Sequence, residues 1–455
     1  MSRRALLKGA AAASLLPGPS LAASPPVRDF RLIPKATRVP LVGAQHPDTL
    51  VWAYNATVPG PEIRVRQGER VRIAVDNALA EDTTVHCHGI RLPNAMDGVP
   101  HLTQAPIAPG KTFIYEFDVP DAGTYWYHPH MRSAEQVGRG LSGGLIVEER
   151  QPIRVDRDIV WVLSDWRLSP DAQIVGDFRN VHDMSHGGRI GNTVTINGKV
   201  LETFEVRSGE RIRLRLINAS NARIYGLRFE GHAPWVIALD GHPVEPHARE
   251  RIVLGPGMRA DLILDCAGSQ GSRHRVIDDF YPRRAYHLLD IRYSGEPAYA
   301  RATPPVPRLP ANPVPEPDRS RAERHRVRFE GGMMGRMPMT RMREGMAWTV
   351  NRRPFPEHDR GHEPLLTLAR GRSCVLELVN DTAWHHPIHL HGHAFRILTR
   401  NGRSEPREPW SDTVLLDPDT RAEIAFVADN PGDWMFHCHV LEHQASGMMA
   451  VVRVG

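Results

Sequence analysis

One pattern occurs three times in this chain of 455 residues and constrains the fold more than any other feature. Gly68-Glu69-Arg70 leads into Val71-Arg72-Ile73-Ala74-Val75-Asp76-Asn77. Gly209-Glu210-Arg211 leads into Ile212-Arg213-Leu214-Arg215-Leu216-Ile217-Asn218. The third copy covers 371–380, with Val375, Leu376, Leu378 and Val379 apolar. In each copy Gly and Asn stand nine apart. Alternation of this kind reads as a half-buried strand. Downstream, Pro109-Gly110, Pro256-Gly257 and Pro418-Asp419 each open another alternating strand. A repeat on this scale implies repeated structural units, and the length exceeds what one hydrophobic core fills. Three similar all-β domains follow, expected at 24–150, 151–300 and 326–455. Between the last two, 303–317 holds seven Pro in fifteen residues. That composition stiffens a chain into an extended form, so 301–325 reads as a linker.

The first residues read as an address. Ser2-Arg3-Arg4-Ala5-Leu6-Leu7-Lys8 looks like a twin-arginine signal, followed by an apolar run over 10–16 and small residues at Ala22 and Ala23. A signal peptide at 1–23, twin-arginine (Tat) export and a periplasmic location are expected. The apolar run is too short to span a bilayer, and no stable membrane association is expected. Losing Arg3, Arg4 and Lys8 lowers the net charge of +5 by three. So mild a charge gives no argument for nucleic acid or an acidic membrane surface. Four Cys do not make a disulfide framework.

The histidines fall into register on the repeat. His86 and His88 stand nine and eleven after Asn77, as His389 and His391 do after Asn380. The second copy has Leu227 and Phe229 there. His128 and His130 follow Gly123 by five and seven, as His437 and His439 follow Gly432. Residues i and i+2 of a strand share a face. Each His-x-His pair therefore presents two imidazoles together, and two facing domains could enclose eight. Cys438, between His437 and His439, points the other way. His443 and Met448 lie close behind it, and two His, one Cys and a weak axial Met form the blue-copper set. His386, three before His389, has the parity to face the Cys438 side.

With these motifs the chain resembles the multicopper oxidases over essentially its mature length. The carriers are His86-Cys87-His88-Gly89, His128-Pro129-His130, His386-Pro387-Ile388-His389-Leu390-His391, and the stretch from His437 to Met448. A single His-x-His is a weak signal; four at these spacings with a Cys are specific. The resemblance implies three consecutive cupredoxin-like Greek-key β-barrel domains and four copper ions. It implies type 1 copper at His386, Cys438, His443 and Met448, and type 2 at His86 and His389. The type 3 pair falls to His88, His128, His130, His391, His437 and His439. It also implies one-electron oxidation at type 1 and reduction of O2 to water at the other three. Cys438, His437 and His439 would carry the electrons between them. Reductants expected from the resemblance are Cu(I), phenolic compounds or both, and a monomer is expected. The other function class is a non-catalytic periplasmic copper-binding protein on the same scaffold.

Other residues leave choices open. Asp97, eleven after His86, matches the family acid near the cluster, although Asp-Gly is also a common turn pair. Gln444 stands where bacterial relatives commonly carry Glu, and cannot donate a proton as an acid. Glu442 is the nearby carboxyl. Cys87 reads as a buried thiol rather than a ligand. Cys266 and Cys374 could pair or stay free. The segment 333–346 holds six of the fourteen Met: Met333, Met334, Met337, Met339, Met342 and Met346. Thioethers suit Cu(I), whereas Met is also a gap filler for an apolar lid. His182-Asp183-Met184-Ser185-His186 would either add ligands or form a polar loop.

Overall fold

The computed structural model describes residues 27–299, 304–333, 345–355 and 363–455. The expected signal segment, and Met334, Met337, Met339 and Met342, lie outside the described residues.

The three repeat copies become three equivalent strands. Arg70–Asp76 pairs parallel with Val27–Leu32 and antiparallel with Thr112–Asp118. Glu210–Asn218 pairs the same way with Arg157–Trp166 and Arg259–Cys266. Ser373–Asp381 does so with Glu323–Gly331 and Arg421–Val427. The conserved spacing has a physical cause at both ends. Gly68, Gly209 and Gly371 have φ of +90°, +78° and +80°, the left-handed region that favours Gly at the turn into the strand.

Each Asn is buried and makes one recurring set of bonds. Asn77 donates to the carbonyls of Glu81 and Ile107 and accepts from Leu79 N–H. Asn218 donates to Arg223 and Leu254 and accepts from Ser220 N–H. Asn380 donates to Trp384 and Asp417 and accepts from Thr382 N–H. A side-chain amide thus satisfies backbone groups that the end of a strand would leave buried and unpaired. It also sets the exit of the loop leading to the next strand, which carries His86 in the first unit and His386 in the third.

The fold is all-β and cupredoxin-like, with two facing sheets in the second and third units. In the first unit Gly60–Arg66, Gly143–Glu148, Gly123–His128 and His86–His88 form a four-stranded sheet. In the third, Leu366–Leu368, Met449–Val454, Gly432–Cys438, His386–Leu390 and Thr413–Leu416 form a five-stranded one. Facing sheets are separate ladders joined by apolar packing: Val71 and Ile73 meet Ile63 and Leu145, while Leu376 and Ile424 meet Phe436 and Val452. One continuous apolar core runs through the first and third units. The second unit has its own, and Leu227 and Phe229 are buried in it.

Residues 304–317 form no helix or strand and touch all three units, the third through the Glu316–Arg396 ion pair at 2.8 Å. Asn312 bonds both backbone groups of Ala122, and Arg211 donates to the carbonyls of Pro304 and Pro305. No helix among the described residues is long and apolar enough to cross a membrane.

Candidate metal centres

Strand pairing aligns the histidines before any tertiary contact is considered. His86 lies opposite His128 in one antiparallel ladder, and His389 opposite His437 in another. Packing the first unit on the third then brings the two sets together. His88 stacks on His389 with ring centroids 3.7 Å apart, and His86 on His391 at 4.0 Å. His128 meets His439 at 5.2 Å and His130 meets His437 at 5.3 Å. All eight rings are buried. Three trios have donor atoms within 4.8 Å of one another: His86, His88 and His389; His86, His130 and His391; His88, His128 and His439.

The protein aims these nitrogens inward. His86 Nδ1 donates to the Asp97 carbonyl at 2.7 Å, His389 Nδ1 to that of Asp412 at 2.8 Å, and His437 Nδ1 to that of Cys438 at 2.9 Å. A carbonyl only accepts, so Nδ1 carries the proton and Nε2 keeps its lone pair. Nε2 of His86, His128 and His389, Nδ1 of His88 and both nitrogens of His130 and His439 are buried without a hydrogen-bond partner among the described residues. Burial first, and neighbouring imidazoles second, hold His88, His128, His130, His391, His437 and His439 well below the usual histidine range. Neutral imidazoles with converging, unsatisfied lone pairs are a donor set for metal, and leaving them unligated carries a desolvation cost. The residues therefore fit a copper cluster.

The third-unit strands also build a second site on their other face. His386–Leu390 is extended through Pro387, and Ile388 lies opposite Cys438. Its odd spacing from His389 turns His386 toward Cys438, with Nδ1 3.4 Å from Sγ. His443, on the short helix Leu441–Ala445, brings Nδ1 to 3.6 Å from Sγ and 3.1 Å from His386 Nδ1. Burial pushes the Cys438 thiol up, while Val440 N–H donates to Sγ at 3.4 Å and favours the thiolate. Met448 is fully buried, and its carbonyl accepts from Cys438 N–H at 3.0 Å. The donor set of one thiol and two neutral imidazoles again fits copper.

The acid of the sequence reading sits at the cluster. Asp97 Oδ2 lies 2.9 Å from His391 Nδ1, and Oδ1 3.2 Å from His86 Nδ1. Glu442 does not join it. Buried against the second unit, it accepts from Asn221 Nδ2 and from Arg189 N–H. Gln444 is fully buried, with both amide atoms unpartnered among the described residues. Cys87 faces the first unit's core beside Tyr54, Tyr115 and Tyr127, and burial pushes its thiol up to about 12. Cys266 and Cys374 are free, buried thiols in different units, so no disulfide joins them.

Four supporting residues carried no spacing signal. Asp412 Oδ1 lies 3.1 Å from His88 Nε2 and 3.3 Å from His389 Nδ1. Thr413 Oγ1 is 3.3 Å from His88 Nε2. Arg259 of the second unit forks onto Asp412 at 2.8 and 2.5 Å, and donates to the Thr124 carbonyl of the first unit at 3.1 Å. Burial works against the Asp412 charge, but Arg259 outweighs it and keeps the carboxyl well below its usual range. Thr382 Oγ1 lies 2.8 Å from His386 Nε2, fixing that ring. The one legible hint was the polar run Ser411-Asp412-Thr413 between apolar strands.

Comparison with known proteins agrees with this geometry. Three sequence models described as multicopper oxidase match residues 36–152, 157–274 and 333–455. The chain is 31% identical over 466 residues to the multicopper oxidase MmcO of Mycobacterium tuberculosis, covering 92% of this chain and 85% of that one. It is 27% identical to a copper resistance protein A homolog of Pseudomonas syringae pv. tomato, covering 100% and 99%. The crystal structure of a multicopper oxidase from Pseudomonas thermotolerans superposes with a TM-score of 0.86 at 37% identity, covering 95% of this chain and 100% of that one. Such enzymes hold four coppers and pass electrons from a reductant to O2. The chain belongs to the multicopper oxidase family.

Proposed function

We propose that this chain is an exported oxidase of copper tolerance, taking electrons from Cu(I) and phenolic compounds and delivering them to O2. The observation that carries this is the tripeptide His437-Cys438-His439, which contributes to both donor sets. Bound copper supplies one-electron acceptance beside Cys438 and four-electron reduction of O2 at the histidine cluster. In this reading His386, Cys438, His443 and Met448 hold type 1 copper, and His86 and His389 hold type 2. His88, His128, His130, His391, His437 and His439 hold the type 3 pair. The proposed domains are 24–150, 151–300 and 326–455, joined by 301–325. Twin-arginine export of a folded monomer to the periplasm is part of the same reading, supported by Arg3-Arg4 and by similarity to a copper resistance protein.

Cu(I) as a reductant rests on the six thioethers of 333–346, and the described ends of that segment lie near the Cys438 site. Met333 N–H donates to the Ser185 carbonyl at 2.8 Å, and the Met346 sulfur lies beside Gly447, next to Met448. Replacing all six Met of 333–346 by Leu keeps apolar volume and removes sulfur donors. The expected outcome is a fall of about tenfold in cuprous efficiency relative to phenol efficiency, equal to about 1.4 kcal/mol. Steady-state rates with Cu(I) and a dimethoxyphenol, side by side, measure it; an unchanged ratio reduces the segment to packing and makes the enzyme a laccase.

Protons are assigned to Asp97. It touches two ring nitrogens of the cluster, and Gln444 offers no acid. Asp97→Asn is expected to slow reoxidation by O2 by about 100-fold, the usual scale of general-acid catalysis, with the blue band intact. Stopped-flow reoxidation of the fully reduced variant at the parent rate would remove Asp97 from that role.

A further inference from the structure

The outer edge of the Cys438 site does not end at His443. Nδ1 of His443 faces Cys438, but its Nε2 donates outward to the His186 carbonyl at 2.6 Å. His186 belongs to the second unit, whose repeat lacks the paired histidines. It follows the short helix Val181–Ser185, which Asn180 caps by accepting from the N–H of His182 and Asp183. His182 lies within this helix and His186 just past its last residue. Their rings stack with centroids 4.1 Å apart and planes 11° from parallel.

The pair is open to solvent on one side and anchored on the other. The His182 side chain is 75% exposed. His186 is half-buried, its ring edge-on to Trp384 at 5.3 Å. His186 Nδ1 donates to the His182 carbonyl at 2.9 Å, which leaves its Nε2 with the lone pair. Asp183 lies between them but is engaged: Arg167 forks onto both its oxygens at 2.6 and 2.9 Å. Ser185, inside the same turn, receives the N–H of Met333.

We propose that His182 and His186 form a docking site for Cu(I), from which an electron reaches His443 through the His186 peptide. The inference rests on the cuprous reading above and assigns the place where that substrate binds. Imidazole is a good copper donor, and the His186 Nε2 lone pair lies beside the ring of the exposed His182, which is free to turn a second nitrogen toward the same ion. A Cu(I) held there loses one electron and departs as Cu(II). The electron crosses the His186 carbonyl and its hydrogen bond to His443. Four such electrons, with four protons, convert one O2 to two waters.

The test uses copper-loaded, anaerobically reduced enzyme titrated with Ag(I), a redox-inert ion of the same charge and ligand preference. His182→Ala/His186→Ala keeps the His186 carbonyl and removes only the rings; its blue band after reoxidation shows that the variant has folded. The double variant is expected to bind one Ag(I) fewer than the parent by calorimetry. Its KM for Cu(I) is expected to rise about tenfold, equal to about 1.4 kcal/mol. Equal silver stoichiometry in parent and variant overturns the site, and so does an unchanged KM for Cu(I). A parent enzyme that oxidises phenols but not Cu(I) overturns the cuprous reading itself, a separate measurement from the silver titration.

Discussion

Cys438→Ser eliminates the blue band and reduces oxidase turnover to background, while the histidine cluster still takes up copper. The first half follows from chemistry. The band requires a thiolate donor, and Cys438 is the thiol that lies with the nitrogens of His386 and His443. A serine hydroxyl has neither the softness nor the acidity to replace it. The second half follows from the ladder. His437 and His439 stay on the opposite face because the pairing of Gly432–Cys438 with Met449–Val454 and of Leu390 with Phe436 is backbone bonding that Ser preserves. Volume changes little at a fully buried position, so the fold should persist. Copper content by metal analysis and absorbance spectra check both halves. A variant that oxidises phenols at the parent rate would place electron acceptance elsewhere.

Arg259→Leu has the largest expected effect on stability. Arg259 is completely buried and joins all three units: Asp412 of the third, the Thr124 carbonyl of the first, and Asp240 in its own, whose Oδ1 accepts from Arg259 N–H at 2.8 Å. Burial, helped by the nearby Asp412 charge, pushes Asp240 up to about 6 even with Arg259 opposing it. Asp412 would then keep a buried charge with no cation against it. Breaking such a pair from one side costs about 3–5 kcal/mol. The function suffers with the fold, because Asp412 orients His88 and its carbonyl orients His389; losing a hydrogen-bond partner that aims a ligand costs about 10–100-fold in metal affinity. The double variant Arg259→Leu/Asp412→Asn removes the stranded charge. It should recover much of the stability but not the copper retention. Denaturation midpoints and copper content on dialysis against chelator separate the two effects. An unchanged midpoint in Arg259→Leu would mean that water reaches and relieves Asp412.

The sequence alone determined whatever a two-residue period controls. The nine-residue Gly–Asn spacing marked the three equivalent strands because a left-handed turn and a buried amide recur at their ends. The even spacing within each His-x-His pair and the odd spacing of His386 from His389 predicted two donor sets on opposite faces of one sheet. In the structure the His-x-His pairs meet one another and His386 meets Cys438, since side chains alternate along a strand wherever the backbone stays extended. Leu227 and Phe229 in the second copy likewise announced a unit that fills its own core. Only tertiary structure decided the rest. Asp412 is 324 residues from His88, and Arg259 is 153 from Asp412. No local period encodes such distances. Asp97 and Glu442 are both buried acids near the histidine motifs, yet packing put the first on His391 and the second on Asn221. His182 and His186 read as a polar loop as easily as a site. Their meaning came from the second unit docking its short helix over His443, a contact between surfaces whose register is set by shape and burial rather than by spacing along the chain.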